Sequence, residues 1–364
     1  MEKKRVVVKI GSSSLTNSHG EIDQEKFQDH IHAIANLKKA GHDVAIVSSG
    51  AVATGFKKLG YRSRPVTLKG KQAAAAVGQS LLIQSYIQHF AEYDIVPAQV
   101  LLTRTDFTNR ERYKNAHATL SELLDRGILP IINENDTVSV EELTFGDNDM
   151  LSALVSGLIH ADQLMILTDI NGLYSANPSK DPDAKKFDYI PEVTDELLQM
   201  ATSEGSSVGT GGMKSKLFAA KTALALGVKA FIGSGKGEDK LLDILKGNGD
   251  GTYVGQNVLI PVNNTKQWIW IHSDVSGKIY IDDGAERALL DKGSSLLPAG
   301  IYDFKGTFEK GDIVDVYGKS GLLGRGEVRC SSEELTQAMG KRTDELVLHL
   351  IEVIHRDEWV QAIH

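Results

Sequence analysis

The chain has 364 residues, of which 41% are hydrophobic, 24% charged and 6% aromatic, a composition that excludes disorder and describes an ordinary globular protein of two domains. A net charge of -8 and a pI near 5.8 argue against a chain-wide nucleic-acid binder, and one cysteine, Cys330, excludes an internal disulfide and fits a reducing compartment. No run of about 18 apolar residues occurs, which excludes a membrane span, and Met1-Glu2-Lys3-Lys4-Arg5 leads straight into a strand without an apolar leader, so the chain is expected in the cytoplasm.

Val6-Val7-Val8-Lys9-Ile10 reads as a strand buried on both faces, as in a parallel sheet covered by helices. It opens into Gly11-Ser12-Ser13-Ser14, a turn of small residues whose successive N–H groups suit phosphate oxygens. Lys9 inside this apolar run either meets an anionic ligand or snorkels at the strand end. A helix from about Gln24 to Lys39, stopped by Gly41, precedes a second buried strand, Val44-Ala45-Ile46-Val47, which ends in Ser48-Ser49-Gly50-Ala51. Helical spacing returns over 71–90 and a strand over 95–101. The charged segment Arg104-Thr105-Asp106 with Asn109-Arg110-Glu111-Arg112-Tyr113 reads as a substrate loop, a subunit contact or plain helix surface.

An apolar strand over 128–132 then runs through Asn133-Glu134-Asn135-Asp136 and Gly146-Asp147-Asn148-Asp149 into a helix with Met150, Leu151, Leu154 and Leu158 at helical spacing. Carboxylates and amides crowded at one strand end repel and cost desolvation. Either a ligand amine or a metal relieves that cost, or the loop is a solvated cap with Asp147 or Asn148 at the N-cap. A further strand, Leu164-Met165-Ile166-Leu167, ends in Thr168-Asp169, and Pro178 and Pro182 mark an exposed loop. Helical spacing follows over 195–200. A glycine-rich run over 205–212 leads into Met213-Lys214-Ser215-Lys216 and an alanine-rich helix ending near Gly227; such a run lets the backbone wrap phosphates but is weak alone. Lys229-Ala230-Phe231-Ile232 closes in Gly233-Ser234-Gly235-Lys236-Gly237, which lacks Walker spacing and reads as a strand-to-loop turn at the site's edge.

Strands alternating with helices over 5–246 imply a three-layer αβα sandwich with a mostly parallel sheet, whose ligands bind at the carboxyl ends of the strands. The expected division is a catalytic domain over 1–250, a linker over 251–267 announced by glycines, and a small β-rich domain over 268–364. In the last, Trp268-Ile269-Trp270-Ile271, Lys278-Ile279-Tyr280-Ile281 and Ile313-Val314-Asp315-Val316-Tyr317 read as short strands. Lys9 and Lys216, from the two ends of the first domain, with Asp149 between them in sequence, suit one phosphate-bearing ligand, because phosphoryl transfer asks for positive charge and N–H donors around the moving group.

Taken together, Val8-Lys9-Ile10-Gly11-Ser12, Val47-Ser48-Ser49-Gly50-Ala51, Ile132-Asn133-Glu134-Asn135-Asp136, Gly146-Asp147-Asn148-Asp149, Leu167-Thr168-Asp169 and Gly209-Thr210-Gly211-Gly212-Met213-Lys214-Ser215-Lys216 resemble the amino acid kinase family, in its glutamate 5-kinase branch. Gly277-Lys278-Ile279, Asp282-Asp283-Gly284-Ala285, Ser295-Leu296-Leu297-Pro298-Ala299-Gly300 and Gly311-Asp312-Ile313-Val314 resemble a PUA domain. The resemblance implies transfer of the γ-phosphoryl of ATP to the side-chain carboxylate of L-glutamate, giving γ-glutamyl phosphate, the first step toward proline. It assigns Lys9 and Lys216 to neutralising the phosphoryl charge, Asp149 to orienting both, and Gly11 and Ser12 to backbone donation. Ser49, Asp136 and Asn148 would hold glutamate, Asp136 through its ammonium and the other two through carboxylate oxygens. Thr168, Asp169, Thr210, Gly211, Gly212, Met213, Lys214, Ser215 and Lys216 would hold the nucleotide. Mg2+ would enter with ATP on phosphates and water, with no protein ligand assigned, and no general base is needed because the acceptor carboxylate is already ionised. Feedback inhibition by proline and a homo-oligomer, dimer or tetramer, are also implied.

Two rivals stand beside this reading. One is a kinase of the same fold acting on aspartate, N-acetylglutamate, carbamate or a nucleotide, against which Asp136 speaks for a free amine. The other is an RNA-binding regulator acting through the PUA domain. Its Lys278, Lys305, Lys310, Lys319, Arg325 and Arg329 are interspersed with acids and no aromatic-basic stripe stands out, so nucleic acid is not the expected partner. His355-Arg356-Asp357 lacks the downstream asparagine of a kinase catalytic loop, and Asn263-Asn264-Thr265 is a sequon without consequence in the cytoplasm.

Overall fold

A computed structural model of the chain describes residues 2–17, 21–139, 148–176, 178, 181–203, 212–234, 237–255, 263–319, 321–341 and 352–362. The chain forms two compact units, Met1–Asp106 with Lys114–Pro261, and Phe107–Tyr113 with Val262–His364.

The first unit is built on β1 (Arg5–Ile10), β2 (Asp43–Ser48), β3 (Pro97–Leu102), β4 (Leu129–Glu134), β5 (Gln163–Leu167), β6 (Leu173–Tyr174), β7 (Lys186–Phe187), β8 (Tyr189–Ile190), β9 (Lys229–Gly233) and β10 (Gly251–Val254). Eight of these make one sheet in the order β3-β4-β2-β1-β5-β9-β10-β8, while β6 and β7 form a separate ribbon. All neighbours in the large sheet run parallel except β9 and β10. The helices are α1 (Gln24–Lys39), α2 (Ala51–Gly55), α3 (Leu68–Ala91), α4 (Arg104–Thr108), α5 (Arg110–Asp125), α6 (Asn148–Leu158), α7 (Asp195–Ser203), α8 (Met213–Ala225) and α9 (Lys240–Leu245).

Side chains alternate across a strand, and β1 uses both faces. Val6, Val8 and Ile10 enter a core with Phe27, Ile31 and Ile34 of α1, Tyr86 and Phe90 of α3, and Leu241 of α9. Val7 and Lys9 therefore face the opposite layer, where α6 packs on β1 and β5 and against α8. Helices thus cover both faces, which completes the expected three-layer αβα sandwich. The run of valines is what a strand buried on two sides needs.

Three sequence expectations change. Residues 251–254, expected to open a linker, form β10, with Gly251 opposite Gly233 in the sheet. A Cβ on Gly251 would sit 2.3 Å from the Phe231 ring and 2.6 Å from the Ile232 carbonyl, so this glycine marks close packing rather than looseness. Trp268-Ile269-Trp270-Ile271 is not a strand. It lies in a π-helical turn, Trp268–His272, that continues a short helix α10 (Asn264–Gln267). The Asn263 side chain caps α10 on Thr265 N, a start signal that the alternating aromatic pattern hid. The charged segment over 104–113, read as a substrate loop, a subunit contact or helix surface, is helical, and its Phe107 and Tyr113 are buried; Tyr113 Oη donates to Gln267 Oε1 at 3.2 Å within the second unit. Gly235 and Lys236 lie outside the described residues.

The second unit holds a five-stranded sheet, β12-β11-β13-β14-β15, from β11 (Val275–Ile281), β12 (Ile301–Gly306), β13 (Ile313–Gly318), β14 (Gly321–Val328) and β15 (Ile354–Gln361). Its core gathers Ile279, Ile281, Phe308, Val314, Val316 and Trp359. His355, Arg356 and Asp357 are strand residues of β15. The third change lies here. Tyr280, on β11, stacks 5.5 Å from Tyr317 and lies 6.4 Å from Tyr302, with Lys278 over Tyr317 and Lys305 over Tyr280. Pairing of distant strands assembles this aromatic-basic group, which no single stretch displays. Among the described residues no helix is long and apolar enough to cross a membrane.

α2 and α3 meet backbone to backbone at Gly55 and Gly78, where a Cβ on Gly78 would lie 1.8 Å from the Ala51 carbonyl oxygen. Gly78→Ala is expected to lower the unfolding free energy by about 1–3 kcal/mol through overpacking. That is opposite in sign to the roughly 1 kcal/mol gain of the same change at an open helix position, and the urea midpoint distinguishes them.

Candidate active site

Parallel pairing brings the carboxyl ends of β1, β2, β4, β5 and β9 to one edge, and the polar residues gather there. Lys9, one residue from the end of β1, is only 5% exposed. Its ammonium is ion-paired with Asp149 Oδ1, in the first turn of α6. Lys216, in the first turn of α8, reaches Asp149 Oδ2 at 3.1 Å, and Ser215 Oγ donates to the same oxygen at 2.9 Å. The Asp149 carboxylate is 0% exposed. Burial by itself would push its pKa up, but the Lys9 and Lys216 ammonium groups outweigh burial and hold it below the usual carboxylate range. Two cations thus meet one ionised acid in a place poor in water, an arrangement suited to an anionic ligand.

Two further features face the same edge. Ser12–Ser14 form one 3-10 turn that ties Ser14 N to Gly11 O at 3.1 Å and leaves the N–H groups of Gly11 and Ser12 outside the turn's own bonds. Gly212 precedes α8 without a side chain to cap its first turn, and the positive end of that helix adds to the field. Met213 and Ser215 are half-buried and Lys214 exposed in that first turn. Thr168 follows β5, with its N–H bonded to Gly233 O at 3.0 Å, and Asp169 is exposed beside it. Thr210, Gly211, Gly146 and Asp147 lie outside the described residues.

Next to Asp149 in the chain, Asn148 begins a second polar group. Its Nδ2 lies 2.5 Å from Ser48 O, 2.8 Å from Asn133 Oδ1 and 3.0 Å from Ser49 Oγ. Two amide hydrogens are thus shared among three acceptors of the chain itself, and the amide turns inward. Ser49 Oγ accepts here and keeps its own hydrogen to donate. Asn133, on β4, passes the chain on, donating to Gln79 Oε1 at 2.7 Å while its Oδ1 accepts from Glu134 N at 2.9 Å.

Asp136 sits on the turn after β4, half-buried, and no hydrogen bond joins it to Ser49 or Asn148. Burial raises its pKa, opposed in part by the Arg64 charge. Helix α3 leans on the same turn through Gln72 Nε2 and Ser139 O, 3.1 Å apart. The structure thus joins Lys9, Asp149, Ser215 and Lys216 in one cluster and Ser49 with Asn148 in another. Sequence reasoning passed over Gln79 and Asn133 as site residues. The missed signal is a glutamine on the buried stripe of α3, among Ala75, Gly78, Leu82 and Tyr86, where an amide needs a polar partner.

Comparison with known proteins now bears on this geometry. The sequence model of the amino acid kinase family matches residues 4–234, and that of the PUA domain matches residues 277–350. Glutamate 5-kinase 1 of Bacillus licheniformis is 68% identical over 361 residues, covering 99% of each chain. Glutamate 5-kinase 1 of Bacillus subtilis is 65% identical over 363 residues and 100% of each chain, and a glutamate 5-kinase of Bacillus cereus is 58% identical over 365 residues, 99% of this chain and 100% of the relative. Among solved structures, carbamate kinase from Giardia lamblia bound to AMP-PNP is 18% identical with a TM-score of 0.49, covering 70% of this chain and 99% of that one. Matched in this way from end to end, the chain belongs to the amino acid kinase family and carries a PUA domain behind its kinase domain.

Proposed function

We propose that the chain transfers the γ-phosphoryl of ATP to the side-chain carboxylate of L-glutamate, forming γ-glutamyl phosphate, and that the reaction is carried by the first unit. The observation that carries this is the pair of ammonium groups on buried Asp149, set one residue from the Asn148–Ser49 group. Kinship with glutamate 5-kinases at 58–68% identity over nearly the whole chain supports glutamate over aspartate, carbamate or a nucleotide as acceptor.

The chemistry follows from charge. A carboxylate oxygen of the acceptor attacks the γ-phosphorus, the bond to the β,γ-bridging oxygen breaks, and ADP leaves with the electron pair. No base is required, because the nucleophile is already an anion at neutral pH. Negative charge grows on the oxygens around the moving phosphoryl, where Lys9 and Lys216 are held ready; fixed charges in a dry site stabilise such a state without reorganising. Asp149 sets the position of both. Gly11 and Ser12 N–H groups and the first turn of α8 suit the phosphates, with Thr168, Asp169 and the stretch 210–216 on the nucleotide. Asp136 would take the ammonium of glutamate, and the Ser49 hydroxyl a carboxylate oxygen.

Mg2+ bound with ATP would neutralise phosphate charge through phosphate and water ligands. The residues fit that role, because the buried carboxylate between Lys9 and Lys216, Asp149, is taken up by those two lysines. Proline, which shares the α-carboxylate and amine of glutamate, is proposed as a feedback inhibitor at or near the acceptor pocket, and a dimer or tetramer as the assembled form. The single, buried Cys330 supports a cytoplasmic setting.

The deciding assay is hydroxamate formation from L-glutamate, hydroxylamine, ATP and Mg2+, compared with aspartate and N-acetylglutamate; preference for either alternative would overturn the assignment. Lys216→Ala is expected to lower kcat about 10²- to 10³-fold with little change in the KM for glutamate. Asp136→Asn should instead raise that KM, by about 1.5–3 kcal/mol for a lost charged hydrogen bond, as steady-state kinetics will read.

The two carboxylates also separate on the pH axis. Asp136, with its pKa raised, loses its charge on acidification before an ordinary aspartate near pH 4 would. The KM for glutamate is therefore expected to climb from a pH above that value, and Asp136→Asn to abolish the climb. Asp149 is held low, so its contribution is present above the ordinary carboxylate range and disappears only below it. A kcat profile that breaks together with KM would contradict this separation.

A further inference from the structure

The inward amide chain has a fixed polarity. Glu134 N is a backbone donor, so the atom of Asn133 that meets it at 2.9 Å is Oδ1, and the atom turned to Gln79 is Nδ2. Ser48 O is a backbone acceptor, so the atom of Asn148 that meets it is Nδ2. Gln79 must then offer Oε1 to Asn133, which turns its Nε2 outward. The chain ends in two unspent groups: the Asn148 Oδ1 acceptor and the Gln79 Nε2 donor, neither with a partner among the described residues.

Both side chains are 8% exposed, yet neither of these end atoms is among the buried polar atoms shut off from solvent and partner alike. The two ends therefore open toward solvent, where a ligand's polar groups can take the place of water. Gln72, two turns before Gln79 on α3, bonds to Ser139 on the turn that carries Asp136. The stripe of α3 that presents Gln79 thus runs along the acceptor side of the site.

We propose that the two ends read the α-amino-acid head of the acceptor, with Asn148 Oδ1 accepting from the ammonium beside Asp136 and Gln79 Nε2 donating to the α-carboxylate. This rests on the acceptor being L-glutamate and adds Gln79 as a residue that touches it. One acceptor and one donor, locked in opposite sense by a shared chain, match a zwitterion and mismatch a dicarboxylate without an amine.

The test uses the full chain with Gln79→Glu and Gln79→Leu. Gln79→Glu keeps the shape and the bond from Asn133 but removes the donor and sets a carboxylate against the ligand's own, and it decides the question if Gln79→Leu fails to fold. The expected result is a KM for L-glutamate raised at least about tenfold, with kcat within about threefold and the KM for ATP unchanged. Inhibition by 4-aminobutyrate, which keeps the amine and the far carboxylate but lacks the α-carboxylate, should be equal in wild type and variant. An unchanged KM for glutamate, or an equal loss for glutamate and 4-aminobutyrate, would overturn the role of Gln79. A wild-type chain that is inactive on L-glutamate would overturn the substrate assignment first.

Discussion

Asp149 is the constraint on which the site depends. A carboxylate wholly removed from water is tolerated only with its charge answered, and here two lysines from opposite ends of the first unit answer it. The same contact fixes how the chain must fold, because β1, α6 and α8 all have to deliver one side chain to one point. Structure and chemistry are therefore met by a single arrangement. Packing of β1 between two helix layers leaves only one face on which a lysine can reach α6.

The two layers of the sheet have divided their work accordingly. On the side of α1, α3 and α9 the strands present mainly apolar residues, with Ser48 and Asn133 at their ends as polar exceptions, and aromatic rings such as Phe27 and Tyr86, 4.8 Å apart, fill the space. The side of α6 and α8 carries the charges. Ser48 joins the two, since its hydroxyl lies 2.9 Å from Tyr86 Oη while its carbonyl holds Asn148.

Much of this was legible in the sequence where a local pattern reports directly on burial. The unbroken valines of β1 announced a strand covered on both sides, and Lys9 stood out within them. Lys9, Asp149 and Lys216 could be grouped because phosphoryl transfer asks for positive charge gathered around one phosphate-bearing ligand. Less was legible where the deciding partner is remote. Gly251 looked like a linker because its neighbour Phe231 is twenty residues away. Trp268-Ile269-Trp270-Ile271 alternates like a strand, but short helices tolerate the same letters when capped. The direction of the Asn148 amide could not be read at all, because it is dictated by the backbone groups of Ser48 and Glu134 through pairing that only the fold supplies.

Asn148 and Asp149 are consecutive residues at the start of α6. The residue proposed to face the incoming amino acid and the residue that bridges Lys9 and Lys216 are thus joined by a single peptide unit. A displacement of that helix tip would move both together, with no relay through the sheet.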